Sequence, residues 1–282
     1  MVLTELIASY YTLSGGQSGE VSRFPLERRL RAAAAAGYAG IGLTSFDWLA
    51  SCSSRRPDEF RRIADDLGIR VAEIEALPVM GTDDPTDSLA AEQEFYEMAS
   101  VLAPSHLVAI IRRPPGELPP LDGIAERFAA VCTRAREYGL RVAIEFMPFF
   151  AVSTLDVAAK IVELAGQSNG AVAVDSYHFF RGGSSLDMIG AVPPGAIAAA
   201  QTSDARRELH GTLLEDTRNH RLIPGDGELD LMSLLGAIHA RPEPVPVTVE
   251  ILSAELRQLE VEEAAARTFA GTRRLVDRVV AG

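Results

Sequence analysis

The chain has 282 residues, with 27 basic and 39 acidic side chains and a formal net charge of −12 when histidine is neutral. That balance excludes a nucleic-acid binder, because displacing counterions from phosphates needs a lysine and arginine surplus on at least one face, and no basic run occurs. With 47% hydrophobic and 23% charged residues the composition is that of a globular protein with ample core material, not of a disordered chain.

Short apolar runs alternate with alanine-, leucine- and arginine-rich stretches from end to end, the pattern of an α/β protein. Residues 3–9 are expected as the first strand. Residues 25–37 follow as a helix, with Pro25 near its start and Gly37 just beyond its end. A second short strand falls at 41–43. Over 58–68, Phe60, Ile63, Ala64 and Leu67 share one face of a helix that Gly68 stops. A strand at 71–74, a helix at 88–102 and a strand at 107–111 complete the first half. Next come a helix at 124–138 ended by Gly139, a strand at 142–145, a helix at 154–164 with Thr154 as N-cap, and a strand at 171–175. Residues 197–201 read as a strand whose alanines give it little intrinsic preference. A helix at 231–239 entered from Asp230, a strand at 245–250 and a closing helix at 260–280 finish the chain.

Eight strand candidates in 282 residues leave roughly 35 per unit, the size of a β/α repeat in a closed barrel. No linker divides the chain, and the proline-rich stretch at 114–120 lies between a strand and a helix, as a rigid loop does. The expected fold is therefore α/β, a single (β/α)8 barrel over residues 1–282. A doubly wound open sheet is disfavoured, since Gly15, Gly16 and Gly19 after the first strand lack the GxGxxG spacing. Cys52 and Cys132 are far apart and form no Cys/His cluster, so neither a disulfide framework nor a thiolate zinc site is expected. Without a basic leader or a long apolar run, a cytoplasmic chain with no membrane association is expected.

The strongest chemical signal lies at the ends of the later strands. Glu145, Asp175, Gln201 and Glu250 close four successive strand candidates. In a barrel these ends converge on the mouth that carries the active site. Three carboxylates gathered there repel one another unless a cation sits among them. Three anionic oxygens and one amide oxygen form a hard donor set suited to one divalent ion, Mn²⁺ or Mg²⁺ rather than thiolate-bound zinc. A single carboxylate at a strand end is more often a helix cap or an ion-pair partner; four in succession are harder to explain that way.

The segment AVDSYHFFRGG, with Asp175 and His178 in D-x-x-H spacing, resembles the sugar phosphate isomerase/epimerase family, with its xylose isomerase-like TIM barrel. The glutamate of AIEFMP, the PGDGELD stretch at 224–230 and the glutamate of VEILS fall in the family order, so the resemblance spans essentially the whole chain. It implies that Glu145, Asp175, Gln201 and Glu250 hold one divalent ion and that Glu145 and Glu250 are also the catalytic acid/base pair. It implies too that His178 and Arg207 contact substrate. A homodimer is compatible with it. Gln201 departs from the commonest pattern, which has histidine there, and points toward dehydratase-like members acting on keto-cyclitols.

The chemistry so implied is proton removal beside a carbonyl, with a metal-stabilised enediolate as the intermediate. Return of the proton gives isomerisation or epimerisation of a keto or aldo sugar; loss of a β-hydroxyl gives dehydration of a keto-cyclitol or related keto acid. The substrate is a small-molecule sugar or cyclitol in either case, and no phosphate-binding loop is present. Arg206, Arg207, Arg218 and Arg221 cluster around the loop after the seventh strand, where guanidinium forks suit carboxylates or vicinal hydroxyls. Tyr10, Tyr11, Phe46 and Trp48 follow the first two strands and are candidates to cover substrate or, more often for such residues, simply to pack. Glu73 and Glu75 share one face of the third strand and become tuning groups for the metal if that face points inward. A metal nuclease of the endonuclease IV type would need more histidines than the five present and a basic groove. A barrel that has lost catalysis and only binds a partner would hold no ion.

Overall fold

The computed structural model describes Leu3, residues 5–79 and residues 85–282, with side chains of the 85–102 helix described from residue 89 onward. Thr4, within the expected first strand, and Met1 and Val2 at the start of the chain lie outside the described residues. Eight parallel strands close in sequence order: β1 (Leu6–Ala8), β2 (Gly40–Thr44), β3 (Arg70–Val79), β4 (His106–Ile111), β5 (Arg141–Glu145), β6 (Gly170–Asp175), β7 (Ile197–Thr202) and β8 (Val247–Val249). β8 pairs back onto β1 through Ile7 and Thr248. The helices are α1 (Tyr10–Leu13), α2 (Leu26–Ala36), α3 (Ser45–Cys52), α4 (Pro57–Leu67), α5 (Pro85–Leu102), α6 (Leu121–Arg136), α7 (Leu155–Ala165), α8 (Ser176–Arg181), α9 (Leu186–Ala191), α10 (Leu213–Asn219), α11 (Leu231–His239) and α12 (Val261–Ala281). This is a (β/α)8 TIM barrel. Among the described residues no helix is long and apolar enough to cross a membrane.

The strands are buried on both faces, which is why several read as continuous apolar runs. β7 forms despite its alanines because every one of its residues is buried between neighbours. β8 is shorter than the expected 245–250 because Pro246 has no N–H to donate, although its carbonyl still accepts from Ala200. Thr154 stands at the N-cap of α7, but its hydroxyl is turned to Asp156 and caps no helix amide. Gly37 ends α2 at φ 105°, with the Phe269 ring 2.8 Å from where a Cβ would stand.

The outward faces of the strands and the inner faces of the helices form one large apolar layer, while Ala143, Ala171, Ala173 and Ala198 form a separate small cluster. By strand alternation Glu145 shares the face of Ala143, and Asp175 shares that of Ala171 and Ala173, so this cluster marks the lumen. Small residues on the β5–β7 side are matched by glutamates on β3. Gly42 of β2 makes the room: a Cβ there would collide with Glu75 Oε1 and stand 3.0 Å from Glu73 Oε1. β3 runs five residues past the expected end through a bulge, where Glu75 and Ala76 oppose only Val108 of β4.

Candidate active site

Each polar strand end is presented by the register of the barrel. Asp175 pairs with Gln201 across β6 and β7, and Gln201 pairs with Thr248 across β7 and β8. Two residues past Thr248, Glu250 extends the same inward alternation just beyond β8, and its N–H donates to the Thr202 carbonyl. All four side chains are buried. Asp175 is also the N-cap of α8: its Oδ1 accepts the His178 N–H at 2.8 Å, and this turn brings the imidazole back over the strand ends. His178 Nε2 comes to 3.6 Å from Glu145 Oε1. One ligating atom each from Glu145, Asp175 and His178 lie within 4.8 Å of one another.

Arg221 fills the space between them. Its Nη1 donates to Asp175 Oδ2 at 2.8 Å and to the Glu250 carbonyl oxygen at 3.3 Å, and lies 3.7 Å from Glu250 Oε2. Its Nη2 is 3.2 Å from His178 Nε2. A guanidinium only donates, so Nε2 is the acceptor and the neutral ring carries its proton on Nδ1. Arg221 is 2% exposed and stacks on the Tyr177 ring at 4.7 Å.

These placements set the proton affinities. Burial, then the charge of Asp175, pushes the Glu145 carboxyl well above the ordinary range. Burial, then Glu145, does the same for Glu250. Burial also pushes on Asp175, but Arg221 and His178 overcome it and hold that carboxyl at about 2. Burial holds the His178 imidazole down at about 4. Two glutamates that hold protons tightly thus flank an aspartate that does not.

A cavity of about 360 Å³ opens above this floor, bordered by Tyr11, Glu75, Arg112, Phe149 and Arg218. Phe149 meets the His178 ring edge-on at 5.5 Å. Of the four N-terminal aromatics, only Tyr11 reaches the cavity. Tyr10 is buried and donates its hydroxyl to the Glu20 carbonyl; Phe46 packs on Tyr10, and Trp48 packs on Phe60. Glu73 and Glu75 do point inward, and Glu75 borders the cavity. Arg207, expected at the substrate, is exposed and away from the cavity lining; its N–H is held by Glu228 Oε2 and its carbonyl by Arg181. Arg218 and Arg221 are the members of that arginine cluster that line the cavity. Arg112, just past β4, was not singled out in the sequence, where only its place after a strand end marked it.

A divalent cation fits this floor. The Oε1 of Gln201 and the Oε2 of Glu250 are buried and accept no hydrogen bond among the described residues, which is costly unless an absent partner satisfies them. The candidate donors that lie close enough together come from Glu145, Asp175 and His178.

The chain is similar to several known proteins of this fold. Inosose isomerase of Bacillus subtilis is 30% identical over 132 residues, which cover 46% of this chain and 46% of that protein. A 3-dehydroshikimate dehydratase of Pseudomonas aeruginosa is 27% identical over 244 residues, 82% of this chain and 37% of the dehydratase. The matched region is thus less than half the length of these relatives. Among solved structures, the IolI protein with a bound zinc atom superposes with a TM-score of 0.85 at 22% identity, covering 98% of this chain and 99% of IolI. An L-ribulose 3-epimerase superposes with a TM-score of 0.74 at 18% identity over 98% and 96% of the two chains. A family model described as xylose isomerase-like TIM barrel matches residues 30–274, and the chain belongs to that family.

Proposed function

We propose that this chain is a divalent-metal-dependent enzyme that moves a proton beside the carbonyl of a polyhydroxylated keto or aldo substrate, as an isomerase or epimerase. The observation that carries the reading is the pairing of two proton-retaining glutamates, Glu145 and Glu250, with buried oxygens of Gln201 and Glu250 that lack partners. Glu145, Asp175, Gln201 and Glu250 would hold the ion, with His178 beside them; Mn²⁺ or Mg²⁺ suits an oxygen-rich set. Bound there, the ion polarises the carbonyl and stabilises negative charge on its oxygen.

The side chains do the proton work. One glutamate, ionised, takes the proton from the carbon beside the carbonyl; the C–H electron pair moves into the new C=C bond and the carbonyl electrons onto oxygen. The other glutamate, protonated, returns a proton to the opposite face of that carbon for epimerisation, or to the neighbouring carbon for isomerisation. His178, neutral at working pH, accepts a hydrogen bond through Nε2 from a substrate hydroxyl in place of the one it accepts from Arg221. Phe149 and Tyr11 exclude water from the cavity walls.

A second reading, dehydration of a carboxylated keto ring, is favoured by the rim. Arg112 and Arg218 are exposed at the cavity, and neither guanidinium has an ion-pair or hydrogen-bond partner among the described residues. Their planar forks suit a carboxylate. The broad match to a 3-dehydroshikimate dehydratase and the amide at Gln201 support the same outcome. Here the carbanion expels the β-hydroxyl, and the protonated glutamate supplies the proton that leaves with it as water.

Incubation with Mn²⁺ and a panel of keto sugars, keto-cyclitols and carboxylated keto rings in D₂O separates the two. Deuterium in recovered sugar or its epimer is the result expected for the first reading. An unsaturated or dicarbonyl product with loss of water establishes the second. Undiminished turnover after exhaustive chelation would overturn both.

A further inference from the structure

Arg221 engages the same atoms that a cation would need. Asp175 has two carboxylate oxygens; Oδ1 is committed to the His178 N–H, and Oδ2 receives Arg221 Nη1 at 2.8 Å. The same Nη1 is 3.7 Å from the otherwise unpartnered Glu250 Oε2, and Nη2 sits 3.2 Å from His178 Nε2. Arg221 differs from the rim arginines in being fixed from behind. Its backbone N–H donates to the Leu252 carbonyl at 3.2 Å, its Nε donates to the Thr217 carbonyl at 3.3 Å, and Ser203 Oγ stands 3.4 Å from Nη1.

The loop that delivers it is itself tied down. Asp204 is buried, and its carboxylate accepts N–H groups from Ala205, Gly225 and Leu229, while its backbone forms an antiparallel bridge with Leu222. A Cβ at Gly227 would collide with Asp204 Oδ1. So the residue next to Arg221 is anchored to the end of β7, and the guanidinium is aimed at the carboxylates before anything binds.

We infer that Arg221 is a built-in counter-cation, a positioning residue that holds Asp175 and Glu250 in ligating geometry in the metal-free protein and competes with the incoming divalent ion for them. The inference rests on the reading above that these residues bind such an ion. Two consequences follow from its charge and from the contacts of its two arms to Asp175 and His178. Removing the guanidinium leaves three acids gathered without a cation and destabilises the metal-free chain. It also removes a fixed positive charge from beside the ion, so the ion binds more tightly. A purely structural arginine has the first effect without the second.

The test is calorimetric titration of chelator-treated protein with Mn²⁺ alone, together with thermal unfolding with and without Mn²⁺, for the wild type and Arg221→Met. The expected result is a lower midpoint for the metal-free variant, at least tenfold tighter Mn²⁺ binding, and a larger Mn²⁺-induced rise in midpoint than in the wild type. Arg221→Lys keeps the charge on a single donor that cannot span Asp175 and His178 together; it is expected to bind Mn²⁺ several-fold tighter than the wild type and less tightly than Arg221→Met. Wild-type binding of Mn²⁺ with equal or weaker binding by Arg221→Met overturns the inference. If that variant does not fold, unchanged affinity in Arg221→Lys overturns it. Failure of every form, wild type included, to bind Mn²⁺ overturns the metal reading itself and the inference with it.

Discussion

At the mouth of the barrel Glu145, Asp175 and Glu250 surround a guanidinium; on β3, Glu73 and Glu75 form no ion pair with an arginine among the described residues. Glu73 pairs in register with His106 at the start of β4, whereas Glu145 pairs with Ile110 four residues further on. Glu73 Oε2 accepts the Thr248 hydroxyl at 3.0 Å and lies 3.1 Å from His106 Nε2. Glu75 accepts the Tyr10 N–H at 2.8 Å, with Ser9 Oγ at 3.3 Å from its other oxygen. Burial, then the Glu73 charge, pushes Glu75 well above the ordinary carboxylate range. Neighbouring acids in a low dielectric cannot all ionise without compensation. Asp175, in direct contact with the guanidinium, retains its charge; at Glu145, Glu250 and Glu75, where burial and neighbouring acids prevail, a proton takes that place.

The largest effect should separate the two groups functionally. Glu145→Gln or Glu250→Gln is expected to lower kcat/KM by about 10³-fold, within the span of general acid/base catalysis. Glu73→Gln should keep turnover within roughly tenfold of the wild type, since steady-state assays of a merely buried acid report folding rather than chemistry. Equal losses in all three would merge the clusters into one functional unit.

Gly42→Ala comes next, because its new methyl group competes with the deep pair for space. It should cost about 1–3 kcal/mol in unfolding free energy, the usual range for overpacking, while leaving Mn²⁺ binding per folded molecule unchanged.

The mildest prediction concerns pH. Glu75 has a folded-state proton affinity above its unfolded value, so its contribution to stability is complete below the unfolded pKa and is lost as pH rises through the folded one. Glu75→Gln is permanently neutral and escapes that loss. Its stability relative to the wild type should therefore grow from pH 5 to pH 8, by at most about 1.4 kcal/mol per pH unit. A flat difference would show that Glu75 does not titrate in this range.

The strand order and the four polar strand ends were legible because each depends on a few adjacent residues: an apolar run, then one inward oxygen at its close. Arg221 was harder to single out. It lies 20 residues beyond Gln201, and long-range bridges of Leu222 with Asp204 and of His220 with Ser253 fold that loop back onto the site. Arg207 stands closer to the strand end in sequence, but the chain there turns outward, pinned by Glu228 and Arg181. Trp48 follows β2 closely, yet α3 starts at Ser45 and its first turn carries the indole away from the mouth onto Phe60. Local spacing identifies which residues leave a strand end; the tertiary path of the loop decides which of them return.

The bulge in β3 has a consequence for how this cavity can change over evolutionary time. Ala76 borders the cavity with φ at 72°, a left-handed conformation that only glycine adopts freely. Glycine is accessible there at little conformational cost, and any longer side chain would meet backbone strain together with the loss of cavity space. The wall at that point is essentially main chain, so sequence drift can widen it and can scarcely narrow it. The cavity's outline on that side is accordingly inherited from the strand's shape and is adjustable mainly from the rim where Arg218 and Leu214 stand on a short helix.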